Sequence, residues 1–242
     1  MEQLFYYLKV SSANAEITCF VNGFPVYEIK DEGQIINQVP INMALIGEGN
    51  QLEIVVKPLG GQAFVKGDIA PYGGGEIVSS DDTREGIIAF DFSSDQEVTK
   101  TFHFDNERFD FAETLVEPPV IAQEERLREY GEKIIALILD KNTDDLMKEM
   151  APKIETAAMA YSVELDLMKQ NLRQFFEDGL YSLDLKVVNS ENIIPEPYCD
   201  GRVWELTIEG GKKPLIYAEE EDGATFMKVY VAEIDGILKV VR

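Results

Sequence analysis

Apolar and polar residues alternate with a period of two through much of the first half of the chain. Ala15, Ile17, Cys19 and Val21 point one way, against Glu16, Thr18 and Phe20, the signature of a strand with one face buried. Asn22-Gly23 follows. Both positions tolerate positive φ, which predicts a hairpin turn with Phe24 to Ile29 as the returning strand. Leu52, Ile54 and Val56 repeat the alternation, as do Ile88, Phe90 and Phe92, and then Val98, Phe102 and Phe104, with Lys100 the exception. Roughly six to eight strands at short intervals, without helical periodicity, predict an antiparallel β-sandwich. The stretch from Gly60 to Asp82, rich in Gly, Pro and Ser, reads as long loops.

The period changes after Glu117-Pro118-Pro119, where two prolines disfavour helix and block ladder hydrogen bonds. This places a linker at 113–121 and divides the chain into domains 1–117 and 118–242. Leu127, Tyr130, Ile134, Leu137 and Ile138 then recur at helical spacing. Asn142 or Thr143 caps a second helix, which carries Leu146, Met147 and Met150 and is interrupted at Pro152. A third helix is expected from Ser162 to Asp178, ending at Gly179. Strands follow at Tyr181–Val188, Arg202–Glu209, Lys213–Ala218, Ala224–Ile234 and Ile237–Val241, with Gly210-Gly211 and Asp235-Gly236 as turns. The expected fold class is therefore multidomain. An N-terminal all-β antiparallel sandwich precedes a C-terminal α+β domain, with three helices packed on a curved antiparallel sheet.

Charge narrows the function classes. The 242 residues hold 45 Asp plus Glu against 22 Lys plus Arg, a formal charge of −23. Nucleic-acid binders need clustered cations, and anionic membrane surfaces repel such a chain, so neither is expected as a partner. The excess is shared by both halves and is not an acidic tail. Cys19 and Cys199 fall in different domains and read as buried free thiols. Met1–Val10 has no basic leader, and no stretch approaches the ~18–20 apolar residues of a membrane span. A cytoplasmic location is the expectation.

Candidate chemistry is sparse. His103, the single histidine, falls on the polar face of its strand with Thr99 and Thr101. One histidine removes most zinc and non-haem iron sites and leaves no serine triad, and no Gly-x-Ser-x-Gly elbow occurs. Asp81-Asp82, Asp105 to Asp110 and Glu219 to Gly223 lack the calcium-loop spacing, and Tyr72-Gly73-Gly74-Gly75 lacks the lysine and following helix of a phosphate cradle. No catalytic, cofactor-binding or metal-ligating residue is assigned. Aromatic placement is more informative. If the C-terminal sheet curves over the third helix, Met168, Phe175, Trp204, Tyr217 and Tyr230 line a pocket, or they fill the core.

The order helix, short capped helix, long helix and terminal antiparallel meander resembles the nuclear-transport-factor-like (NTF2-like) cone-shaped α+β superfamily. The residues that carry this run from Glu124 to Val241, including Leu139-Asp140-Lys141-Asn142-Thr143-Asp144-Asp145-Leu146 at the break between the first two helices and the hairpin Lys228–Val241. The superfamily usually has a strand between its second and third helices, whereas Lys153–Tyr161 reads helical or irregular. The resemblance implies a conical pocket, used by some members for small molecules or catalysis and by others for dimerisation. The N-terminal half, through Val21–Val26 and Gly47–Leu52, is generically similar to accessory carbohydrate-binding β-sandwiches. Three functions follow as expectations: a non-catalytic binding or protein-interaction module, a small-molecule binder or enzyme using the C-terminal cone, and an acidic neutraliser of a basic protein. A homodimer through the C-terminal sheet is a further expectation.

Overall fold

One long hairpin organises the N-terminal half. Strand β1, Leu4–Val21, turns at Asn22-Gly23 (φ 54° and 77°) into β2, Phe24–Pro40. These positive φ values are what a tight hairpin requires and what Asn-Gly supplies at little steric cost. The computed structural model describes residues 4–78, 86–182, 188–211, 213–220 and 223–242. The chain divides into two compact units, Met1–Ala112 and Glu113–Arg242.

The second edge of β1 is shared by two partners. Leu4–Ala13 pairs with β4, Ala63–Gly73, and Ala15–Val21 pairs with β3, Asn50–Pro58. β5, Ile88–Ser94, extends from β4, and β6, Val98–Phe104, extends from β3, all pairings antiparallel. The handover falls at Asn14 (φ 53°), where the register with β2 also shifts. Buried residues before it are Tyr6, Leu8, Val10 and Ser12, and after it Ala15, Ile17, Cys19 and Val21. The parity of β1 reverses at Asn14, whose positive φ departs from strand geometry, and β2 spends two residues, 32 and 33, opposite this one.

The expectation of loops over Gly60–Asp82 is corrected by β4. Gly67, one of the glycines of that stretch, lies where the backbone of β1 comes close. A Cβ there would sit 2.0 Å from the Lys9 carbonyl oxygen and 2.5 Å from the Phe90 ring. Asp81-Asp82 lies outside the described residues.

A single turn, α1, Ala112–Leu115, starts at the last residue of the first unit, and α2, Glu124–Leu139, and α3, Thr143–Glu149, follow in the second. Asn142 caps α3, its side chain accepting from the Asp145 amide at 3.2 Å. Pro152 does not merely stop a helix. It occupies the first turn of α4, Ala151–Ala160, where its missing N–H costs nothing. α5, Leu165–Gln174, then runs into a wider π turn, Phe175–Gly179. The helical layer thus holds α4 in addition to the three helices expected.

The main sheet runs β13-β12-β8-β7, with β7 at Ile194–Tyr198, β8 at Val203–Ile208, β12 at Val229–Ile234 and β13 at Ile237–Val240. A two-residue strand β9, Lys213–Pro214, also pairs with β8. The expected single strand Ala224–Ile234 breaks at Lys228. Its first part, β11, Gly223–Met227, pairs with β10, Ile216–Glu220, in a separate hairpin. Of the expected strand Tyr181–Val188, Tyr181 and Ser182 are helical and residues 183–187 lie outside the described residues. Among the described residues, no helix is long and apolar enough to cross a membrane.

Candidate functional site

The space between α2 and the sheet is filled by side chains. Leu127, Ile134, Leu206, Val229 and Val231 are fully buried, and Trp204 is 8% exposed. The Trp204 indole N–H donates to the Gly201 carbonyl at 2.8 Å, which satisfies its polar atom at the edge of the core. Gly131 lets α2 approach closely, since a Cβ there would lie 2.9 Å from Ile193 and 3.2 Å from Leu206.

The five aromatic and methionine positions singled out above do not converge. Met168 packs against the core that contains Trp204. The register pairs Trp204 with Val231 and Tyr230 with Glu205, so Trp204 and Tyr230 project from opposite faces of the sheet. Tyr217 belongs to the separate β10–β11 hairpin, with the Lys213 ammonium 4.3 Å from its ring centroid. Phe175 is 44% exposed.

Tyr230 helps form a polar cluster on the reverse face. Glu205 is 4% exposed and receives the Lys228 ammonium at 3.3 Å, while the same ammonium lies 3.4 Å from the Tyr230 hydroxyl. Burial raises the Tyr230 pKa, and the Glu205 charge adds to the shift. Glu196 faces Glu205 across the β7–β8 pair, an opposition of like charges that Lys228 offsets. A second cluster ties α2 to α3. The Tyr130 hydroxyl donates to Glu149 at 2.9 Å, and Lys133 and Lys239 approach the same carboxylate at 3.0 and 3.4 Å. Every cation in these clusters is engaged by a carboxylate, which makes them structural ties.

The exposed surface of α5 has a different character. Leu165, Met168 and Leu172 face inward against the core. At helical spacing, Glu164, Leu167, Asn171, Phe175 and Asp178 form the adjoining outer flank, and all five are exposed. Leu167 and Phe175 leave 48% and 44% of their surface in solvent. The bases of this helix, Lys169 and Arg173, lie on the other flank, and Arg173 is held by Asp144 at 2.6 Å. The apolar arc of α5 is thus wider than the core covers, and its uncovered part is bounded by acids at both ends.

Two clefts lie among the described residues. One of ≈ 420 Å³ lies among Lys141, Thr143, Glu177, Tyr181 and Ser182, where the Thr143 and Tyr181 hydroxyls are 3.0 Å apart. The other, of ≈ 660 Å³ in the N-terminal unit, is lined by residues that include Leu4, Pro71, Ile87, Asp105, Glu107 and Arg108. Three side chains of the Asp105–Asp110 segment are engaged by backbone amides. Asp105 accepts from Gly49 N–H at 2.6 Å, Asn106 from Phe109 N–H at 2.7 Å, and Asp110 from Ala112 N–H at 3.1 Å. Among the described residues, no group of three or more His, Cys, Asp or Glu side chains is placed to hold a metal ion. His103 is exposed, and Cys19 and Cys199 are buried free thiols.

No family model, no curated protein and no solved structure matches this chain.

Proposed function

We propose that the chain is a non-catalytic, two-domain binding protein whose C-terminal unit engages a cationic partner protein through the outer flank of α5. The observation that carries this reading is the composition of that flank. Leu167 and Phe175 offer exposed apolar surface, Glu164 and Asp178 bound it, and no base interrupts it. Such a surface is complementary to an amphipathic helix with lysines or arginines at its margins. The −23 charge of the chain adds long-range steering toward the same class of partner. The side chains filling the interior behind Trp204 favour an outer surface over an internal cone pocket as the working site.

In this reading the second unit is an NTF2-like cone with α4 in place of the usual strand, and the first is a sandwich formed by folding the β1–β2 hairpin at Asn14. A cytoplasmic location fits the two reduced, buried thiols. A second reading, small-molecule binding, draws on the ≈ 420 Å³ cleft with its lysine, carboxylate and hydroxyls.

The test is a titration of the full chain with a synthetic amphipathic Leu/Lys helix and with its Leu/Glu counterpart, followed by amide chemical shifts. Selective shifts across 164–178 with the Leu/Lys peptide, weakening at least about tenfold in a Leu167→Ser/Phe175→Ser variant, are expected. Shifts spread evenly over all acidic surfaces, or undiminished affinity in the variant, overturn it.

A further inference from the structure

Asn106 holds a fixed turn beside the ≈ 660 Å³ cleft of the N-terminal unit. It is 6% exposed and spends its side chain on backbone. Its amide donates to the Ile46 and Gly47 carbonyls, and its Oδ1 accepts from the N–H groups of Arg108 at 3.1 Å and Phe109 at 2.7 Å. Phe109 is buried, with its ring centroid 5.9 Å from that of Phe111 and 6.0 Å from that of Tyr6. Glu107 and Arg108 are thus presented on an anchored turn, and preorganisation of this kind lowers the ordering cost of binding.

Arg108 differs from the other described arginines. Arg126, Arg128 and Arg173 hold carboxylates, and Arg202 and Arg242 donate to carbonyl or hydroxyl oxygens. The Arg108 side chain is half-buried and, among the described residues, makes no hydrogen bond or ion pair. Its guanidinium lies 5.9 Å from the Phe109 ring centroid. In a chain with 45 Asp plus Glu against 22 Lys plus Arg, this guanidinium is kept clear of carboxylates. Its planar fork matches a carboxylate from outside.

The surrounding charges decide which carboxylate fits. Asp105 and Glu107 line the same cleft. Asp105 is engaged by the Gly49 N–H, whereas Glu107 is exposed and has no cation on it. Burial raises the pKa of the Tyr6 phenol in the cleft wall, and the Glu107 and Arg108 charges act on it in opposite senses, so both reach the same place. A plain anion is repelled by these acids and by the −23 charge, and a plain cation meets the guanidinium. A neutral molecule with both charges close together satisfies Glu107 and Arg108 at once. Leu4, Pro71 and the 39% exposed Ile87 add apolar lining for a hydrocarbon side chain.

We infer that this cleft binds a free apolar α-amino acid, with its carboxylate on Arg108, its ammonium on Glu107 and its side chain against Leu4, Pro71 and Ile87. The volume admits the larger apolar side chains. The site lies wholly within the N-terminal unit and rests on nothing in α5.

Calorimetric titration of the full chain with L-leucine and L-phenylalanine, paired with amide chemical shifts, tests this. Saturable binding of at least one is expected, with shifts gathered at 4–6, 87 and 105–109. The N-acetyl form lacks the ammonium and the amide form lacks the carboxylate, and each is expected to bind at least about tenfold more weakly. Arg108→Gln is expected to weaken the free amino acid at least about tenfold without moving the thermal midpoint, since that side chain bonds to nothing in the fold. Glu107→Gln is expected to abolish the preference for the free amine over its N-acetyl form. No binding of either amino acid, equal binding of the N-acetyl form, or affinity indifferent to Arg108→Gln overturns the inference. The α5 reading is tested by a cationic peptide with shifts across 164–178, so the two fail separately.

Discussion

The side-chain amide of Asn22 donates to the Oδ1 of Asn50 at 2.9 Å, joining the β1–β2 turn to the start of β3. Asn50 is fully buried and also binds the connection before it, accepting from Ile46 N–H at 2.8 Å and donating to the Ile46 carbonyl at 2.7 Å. Asn22 donates to the Ala44 carbonyl and accepts from Gln51 N–H. Asn50→Ala strands several buried groups at once. A loss of about 3 kcal/mol in the N-terminal unit is expected, measured by denaturant unfolding of the full chain.

Gly67→Ala brings a Cβ to 2.0 Å from the Lys9 carbonyl oxygen, a contact that backbone atoms must move to relieve. We expect a cost of ~3 kcal/mol. Gly61→Ala meets nothing within 4 Å and has no positive φ, so its stability is expected within about 0.5 kcal/mol of the parent. Thermal melts of both variants side by side provide the check.

Glu149 ties stability to pH. Burial alone raises its pKa, but hydrogen bonds from Lys133 and Tyr130 outweigh burial and hold it below its ordinary value of 4.5. Its contribution is therefore present above pH 4.5 and is lost as pH falls through the depressed folded-state value. Glu149→Gln is expected to cost about 1–2 kcal/mol at neutral pH and to lose part of its acid sensitivity. Urea midpoints between neutral pH and acid, for parent and variant, measure both effects.

Burial pushes both thiols, Cys19 and Cys199, up to about 12. Neither is expected to react with an alkylating reagent in the folded protein at neutral pH. Both are expected to label on denaturation without prior reduction. Mass spectrometry after a brief iodoacetamide pulse, with and without urea, counts them, and a native adduct at either position would contradict the burial.

Trp204→Ala removes the largest side chain at the boundary of the helix–sheet core and the hydrogen bond to Gly201. A loss of ~3–5 kcal/mol is expected, read by calorimetry as a lower midpoint of the C-terminal unit.

Legibility in the sequence depended on whether one local period ran unbroken. The alternation Ala15–Val21 and the helical spacing of α2 were plain because burial falls on one face throughout. Residues 4–13 were missed because Lys9 is buried on the face opposite Leu8 and Val10, where it pairs with Asp68 at 3.2 Å. β7 was missed because Pro195 and Pro197 argue against a strand, yet β7 is an edge, where proline is tolerated. α4 was hidden by Pro152, which reads equally as a stop or a start. The expected pocket depended on the pairing of β8 with β12, which residue spacing within each strand does not contain. The α5 flank was not legible, since Phe175 reads as a pocket or core residue and Leu167 carries no signal of its own, and only burial separates the two from the core.

The bulge at Asn14 has an evolutionary consequence. Since β1 hands over from β4 to β3 at that residue, each half of the strand keeps its own alignment with its own partner. A one-residue insertion or deletion on either side would turn only that half inside out and leave the other in phase. Asn14 thus acts as a firebreak against frameshifts in packing, and length variation among descendants of this chain should accumulate beside it.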